Sequence, residues 1–258
     1  MNSRPKIPKD KIIKVSNNTK KIDFKKPYTF IYFDLWFNII TIIPFTLIVL
    51  LAFLSTFFFS LKIDGKKNLK ILKQKGCILI SNHCHYFDTV FIGLKLLPVK
   101  VYISVAQRNY EIPYIRRILR IVRAFPIPAL KGGLEMITDP IGEALKRKHS
   151  VLFLPEGDLV HLSQTIHQLK RGAFYQSYIH QVPIVPLVYV LQRRKILGRE
   201  LGANWITMTL VAGAAIYPPK IRDDGQYPKI ELEQMQELAA AWMEDTIALY
   251  SNKNSGKK

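Results

Sequence analysis

Apolar residues gather along this chain in two ways. Residues 35–61 run for 27 positions without a charge, LWFNIITIIPFTLIVLLAFLSTFFFSL. Beyond them, short apolar runs alternate with stretches of helical periodicity. Residues 77–81 (CILIS), 99–105 (VKVYISV), 151–154 (VLFL) and 184–190 (IVPLVYV) predict strands, and 205–212 (WITMTLVA) a further one. Helical spacing predicts helices over about 89–97, 114–122, 134–147, 172–180 and 231–250. Strands that are apolar throughout, alternating with helices, predict an α/β fold: a mostly parallel central sheet flanked by helices. In such sheets functional groups collect at the carboxyl ends of strands.

The long run exceeds the roughly 20 residues a membrane-crossing helix needs, so it is expected to meet lipid. It starts too late, and lacks the small-residue cleavage site, for a secretory leader. Pro44, with Asn38 and Thr41 just before it, is expected to break the run into two shorter helices. A re-entrant hairpin of this kind keeps Lys20, Lys21, Lys25 and Lys26 on the same side as Lys62, Lys66, Lys67 and Lys70. A single helical span separates the two blocks, and their balance sets no orientation. The hairpin is the preferred form, with both blocks against anionic headgroups and the remaining chain facing the cytoplasm. The organisation expected is a flexible basic arm at 1–27, a membrane-anchoring segment at 28–61 and a catalytic domain at 62–258.

Charge narrows the choice of partner. Among 258 residues, 38 Lys and Arg face 19 Asp and Glu, for a net +19. Such a balance implies a nucleic acid, a membrane surface or a phosphorylated ligand. The excess is +7 in residues 1–26 and +11 in residues 62–134, whereas the last 124 residues carry 15 basic against 13 acidic groups. Residues 114–123 (YIRRILRIVR) set Ile115, Ile118, Leu119 and Val122 on one helical stripe with Arg116, Arg120 and Arg123 beside it. That pattern fits a solvated surface helix or one lying on headgroups. No nucleic-acid-binding motif accompanies the charge, so nucleic acid is not an expected partner. The two cysteines, Cys77 and Cys84, are too few for a disulfide framework.

The chemistry gathers in ISNHCHYFDTVFI, residues 80–92. His83-x-His85 has strand spacing that suits zinc, with Asp88 or Cys84 as a third ligand; His161 and His167 lie in a polar loop, and nothing selects them as further ligands. No metal is expected. Cys84 as an acyl-carrying nucleophile is a weaker alternative. A base–acid pair fits better. On one helix His83 and Asp88 would diverge by about 140°, but a strand–turn–helix junction lets Asp88 meet the imidazole. The carboxylate then fixes the tautomer and leaves the other nitrogen as a general base.

The block Asn82-His83-Cys84-His85-Tyr86-Phe87-Asp88 resembles the N-H-x4-D motif of the glycerolipid acyltransferase family, which includes the 1-acylglycerol-3-phosphate acyltransferases. Phe153-Leu154-Pro155-Glu156-Gly157-Asp158 is similar to its F-P-E-G-T-R block. Lys170-Arg171-Gly172-Ala173, followed by Val182-Pro183-Ile184-Val185-Pro186-Leu187, resembles its fourth block. The resemblance covers roughly 62–220. It implies acyl transfer from an acyl thioester, acyl-CoA or acyl-ACP, to a hydroxyl of a lysolipid in the membrane. His83 would be the base and Asp88 its orienting acid, with no metal and no cofactor beyond the thioester co-substrate. Glu156, Gly157, Asp158, Lys131, Lys170 and Arg171 would face the substrates.

Two departures stand out. Asp158 and Leu159 occupy the family's threonine and arginine positions, and the second block, Arg123-Ala124-Phe125-Pro126-Ile127-Pro128-Ala129-Leu130-Lys131, ends without its arginine. In the family these arginines go with the acceptor's phosphate, and a lysine supplies only a point charge in place of a bidentate fork. Either Lys131, Arg123, Lys170 or Arg171 replaces them, or the acceptor lacks a phosphate there and Asp158 faces a hydroxyl or amine. The second is the expectation adopted, a non-standard lysolipid. Glu156 reads as a site residue in preference to a helix cap.

Overall fold

The computed structural model describes residues 4–7, 19–196, 199–200, 205–222 and 226–255. Its centre is a seven-stranded sheet built from β1 (Lys62–Asp64), β2 (Ile78–Ser81), β3 (Val101–Ala106), β4 (Ala124–Ile127), β5 (Ser150–Phe153), β6 (Ile184–Arg193) and β9 (Ile206–Ala212). The strand order is β1-β9-β6-β2-β5-β3-β4. Only the β6–β9 pairing is antiparallel. A separate antiparallel pair joins β7 (Lys195–Ile196) to β8 (Arg199–Glu200).

Side chains alternate across the sheet, so each strand feeds two cores. Ile78 and Ile80 of β2 join one apolar cluster with α5 (Thr138–Lys146), α6 (Gly172–His180) and α7 (Lys229–Ser255). Leu79 joins the other with α2 (Asp88–Lys95). Burial on both faces is why the central strands read as unbroken apolar runs. Two short helices, α3 (Gln107–Tyr110) and α4 (Pro113–Ile121), link β3 to β4.

The expected elements are present with small shifts in their ends. The predicted helix at 134–147 opens as a 3-10 turn, Glu135–Ile137, before α5; Pro140 is tolerated because it falls in the first α-helical turn. Strands β1 and β4 have no counterpart in the apolar pattern. β1 is a charged tripeptide, and β4 is four residues long with Pro126 inside.

The expectation of a helical hairpin is corrected. Residues Leu35–Phe59 form one helix, α1, that continues through Pro44. Asn38 and Thr41 do not turn the chain; their side chains bond back to the helix's own carbonyls at Asp34 and Phe37. An apolar segment gains by keeping its remaining backbone bonds internal. α1 packs against α2, α4 and β9, and Leu61 just after it is buried. Its outer side is bare: Leu35, Trp36, Ile40, Ile43, Leu47 and Leu51 are exposed, and 6% of its most apolar window is buried.

Parts of the chain before Lys62 pack onto the sheet and its helices. Phe24, Phe30 and Ile31 are buried in the first cluster, where Phe24 stacks on Phe30 and Tyr28 meets both edge to face. Arg4 pairs with Glu237 and Glu244 of α7 at 2.5 and 2.7 Å. Aromatic burial and ion pairing bring these parts of the arm into the globular unit. The rest of the arm, residues 1–3 and 8–18, lies outside the described residues.

Candidate active site

β2 and β5 are parallel neighbours, with Ile80 opposite Phe153. Their carboxyl ends therefore deliver His83 and Glu156 to one edge. The junction between β2 and α2 folds back, and His83 Nδ1 lies 2.7 Å from Asp88 Oδ2. Asp88 is fully buried. Its Oδ2 also accepts the backbone N–H groups of Cys84 (3.2 Å) and His85 (3.4 Å), and its Oδ1 accepts that of Thr89 (2.6 Å). Asp88 in turn dictates that Nδ1 carries the hydrogen, which leaves His83 Nε2 basic. His83 keeps 21% of its side chain exposed.

The imidazole's affinity for a proton follows from these neighbours. Burial pulls it down, but the charge and hydrogen bond of Asp88, with the field of Glu156, raise it above its ordinary value. The junction is braced from β6. Asn82 exchanges two hydrogen bonds with the backbone of Tyr189, at 2.8 and 3.2 Å. The Tyr189 hydroxyl donates to the Asp88 carbonyl at 2.8 Å. From the other side, the N–H groups of Val160 and Leu162 donate to the carbonyls of His83 and Cys84.

Glu156 is buried, and its Oε2 lies 3.2 Å from His167 Nδ1. Its Oε1 has no partner among the described residues. Burial pushes this carboxyl up, against the pull of His167 and His83. Gly157 has φ +86°, a left-handed conformation, and the ammonium of Lys170 fills the place a Cβ would take. Only glycine meets both demands. Asp158 forms an ion pair with Arg108 of α3. Burial, and then the charge of Arg108, lower the Lys170 ammonium. Arg108 and Lys170 thus stand together beside Gly157, with Asp158 offsetting one of them.

The remaining expected site residues lie elsewhere. Arg171, at the start of α6, pairs with Glu233 of α7. Lys131 stands exposed in the turn beyond β4, without an ion pair to Glu156 or Asp158. Arg123 precedes β4 and is level with Ile78, at the opposite end of β2 from His83. His85 is buried, and its Nδ1 accepts the N–H of Phe87. Burial lowers it. Cys84 is buried with its thiol pushed up first by burial and then by Asp88, the reverse of an activated nucleophile. Among the described residues no three His, Cys, Asp or Glu side chains gather as a metal-binding group.

Asn82 belongs to the motif, but its grip on Tyr189 exists only because β6 lies beside β2. Arg108 lies in the first turn of α3, two residues after an apolar strand, a strand-end position that could have marked it. The His167–Glu156 contact left no signal in sequence spacing.

With this geometry in view, comparison with known proteins is decisive at the level of family. The acyltransferase family model matches residues 60–190. This chain belongs to the acyltransferase family. Within the family, it is 27% identical over 128 residues to 1-acyl-sn-glycerol-3-phosphate acyltransferase of Bacillus subtilis (strain 168), covering 50% of this chain and 61% of that protein. It is 26% identical over 136 residues to 1-acyl-sn-glycerol-3-phosphate acyltransferase beta of Homo sapiens, covering 52% and 48%. The matched region thus spans about half to three-fifths of these relatives. The fold is that of the crystal structure of the 1-acyl-sn-glycerophosphate (LPA) acyltransferase PlsC from Thermotoga maritima, with a TM-score of 0.53, 13% identity, and coverage of 78% of this chain and 79% of that one. The block 82–88 and the block 153–158 both fall within the matched acyltransferase region.

Proposed function

We propose that the protein moves a fatty acyl group from an acyl thioester, acyl-CoA or acyl-ACP, to a free hydroxyl of a lysophospholipid. The observation that carries this is the His83–Asp88 pair at 2.7 Å, buried on the Asp88 side and open on the His83 side. His83 Nε2 takes the proton of the acceptor hydroxyl as its oxygen attacks the thioester carbonyl. Asp88 stabilises the imidazolium that forms. Collapse of the tetrahedral intermediate breaks the carbon–sulfur bond, and the thiolate leaves with the proton returned by His83. No covalent enzyme intermediate is required, which accords with the inert setting of Cys84.

The acceptor's phosphate is assigned to Lys170, aided by Arg108. The relatives' names favour 1-acylglycerol-3-phosphate as acceptor. The Arg108–Asp158 pair favours a second reading. Because Asp158 offsets Arg108, the site holds less positive charge for a phosphate monoester, and a headgroup with a hydroxyl or amine toward Asp158 gains. The test is kcat/KM for 1-acylglycerol-3-phosphate against other lysophospholipids, in wild type and in Leu159→Arg. Preference of the wild type for a larger headgroup, shifted toward the monoester by arginine, supports the second reading. A wild-type preference for the monoester overturns it. No thioester consumption with any lysolipid overturns the function itself.

We further infer that α1 holds the protein on one leaflet. Both its ends join the same globular unit, since Tyr32 stacks on Phe37 and lies under Arg120 at the start and Leu61 is buried at the end. A helix tied down at both ends lies in the interface, its bare side in the acyl chains. This keeps both basic blocks on one face, as the hairpin reading required, by a different geometry. The orientation toward the cytoplasm remains part of the proposal. Protease access to tags at Met1 and Lys258 in sealed vesicles tests it, because protection of only one tag means a crossing.

A further inference from the structure

The site edge accounts for Arg108 and Lys170, yet a second group of cations lies at the other end of the sheet. A cavity of about 220 Å³ opens there between α1, the segment leading into it, and the start of β3 and β4. Lys100, Arg120 and Arg123 line it, together with Tyr32, Tyr102 and the first turns of α1 around Asn38 and Thr41. No lining residue is acidic. Arg120 lies on α4 and Arg123 just beyond its end, and both line the cavity. Arg120 lies over the ring of Tyr32 at 5.5 Å and Arg123 over that of Phe45 at 4.3 Å. Arg120 Nε is buried without an acceptor among the described residues. Asp34 acts on Tyr32 at the rim, and Glu143 pairs with Arg147.

A half-buried guanidinium is ordinarily matched by a carboxylate. Here Arg120 and Arg123 meet aromatic rings instead, with the Tyr28 and Tyr110 hydroxyls beside Arg120, and among the described residues no carboxylate lines the cavity. The same positive field reaches His149, whose imidazole is held at about 4 by burial and then by Lys100, Arg123 and Arg147. The position of the cavity says where the anion comes from. It abuts the first turns of the bare helix α1, where Leu35 and Trp36 are exposed, the depth at which tryptophan sits in a membrane interface. Headgroup phosphates lie at that depth.

We propose that this cavity binds the phosphate of an anionic glycerophospholipid of the surrounding membrane, at a site separate from the acyl-transfer site. The inference rests on reading α1 as embedded in one leaflet. Lys100, Arg120 and Arg123 hold the phosphate, and the apolar flank at Phe37, Ile42 and Phe45 accepts the start of the acyl chains. The bound lipid orients the domain on the leaflet and favours anionic membranes.

Vesicle flotation of the full chain tests this, with phosphatidylcholine vesicles and vesicles of phosphatidylcholine mixed with phosphatidylglycerol. Wild type should bind the anionic vesicles more tightly, and Arg120→Gln with Arg123→Gln should lose at least about fivefold of that preference. Charge-matched Lys66→Gln with Lys67→Gln should lose much less. Acyl transfer in neutral detergent should be unchanged in the Arg120/Arg123 variant. Lys100 is exposed, so Lys100→Gln tests the same cavity without disturbing packing and should also weaken the preference. Equal losses from the 66/67 and 120/123 pairs, or no loss from Lys100→Gln, mean diffuse attraction and overturn the site. Release of wild type by inorganic phosphate, but not by chloride of equal ionic strength, assigns the cavity to a free anion and overturns the lipid assignment. Equal binding to both vesicles overturns this inference and leaves the membrane reading of α1 intact; no binding to either overturns both.

Discussion

Replacing Asp88 by asparagine separates the charge of this residue from its size. The carboxylate accepts four N–H groups, from His83, Cys84 and His85 on Oδ2 and from Thr89 on Oδ1. Asparagine has one oxygen, so its amide must face at least one of these donors. The cheaper orientation keeps the oxygen toward His83 and sets the amide against Thr89 N–H. Losing that one bond to a buried charge costs about 1.5–3 kcal/mol of stability. The effect on chemistry is larger, because Asp88 both fixes the tautomer and stabilises the imidazolium. A loss of about 10²–10⁴-fold in kcat/KM is expected. The sign of the pH effect follows from His83, whose proton affinity is raised above its ordinary value of 6.5 chiefly by Asp88 against the pull of burial. The base works when neutral, so the acid limb of the wild-type kcat/KM profile should lie above that value. Asp88→Asn should move the limb to lower pH. The stability given by the charged pair is complete below 6.5 and fades as pH rises through the raised value; in the variant that dependence should vanish. The assay is thiol release across pH, with thermal unfolding at matched pH. A limb that does not move, or a loss confined to KM, refutes the role of Asp88.

His83→Ala should reduce kcat/KM by about 10²–10⁴-fold with the fold intact, whereas His85→Ala should cost far less, since the His85 Nδ1 is engaged by the N–H of Phe87 while His83 Nδ1 meets Asp88; equal losses measured by the same thiol assay would unseat His83 as the base. Gly157→Ala should destabilise the protein by about 1 kcal/mol or more and displace Lys170, raising KM for the acceptor more than it lowers kcat in steady-state kinetics. Deleting residues 1–61 should abolish cooperative thermal unfolding, because it strips Phe24, Phe30, Ile31 and Leu61 from the two cores; a soluble, cooperatively folding product would restore the boundary at Lys62.

The amino-acid sequence by itself determined what local pattern can encode. Central strands buried on both faces must be apolar at every position, so β2, β3, β5, β6 and β9 were legible. The five-residue separation of His83 and Asp88, set directly after an apolar strand, announced a junction able to close on itself. A stretch of 27 uncharged residues announced a long apolar helix. Tertiary structure alone decided what depends on contacts distant along the chain. β1 is short and charged and β4 is four residues long with a proline inside, so neither carries a pattern, and they exist because a neighbouring strand supplies their hydrogen bonds. Pro44 lies within a continuous helix, and Phe24 to Ile31 belong to the core because the faces of other elements receive them. The cations show the same limit. Arg108, Arg120, Arg123 and Arg171 look alike in sequence, but a long charged side chain is committed only by what stands within its reach. Asp158 claims Arg108, Glu233 claims Arg171, and aromatic rings take Arg120 and Arg123 because the strand ends and α1 bring those partners there.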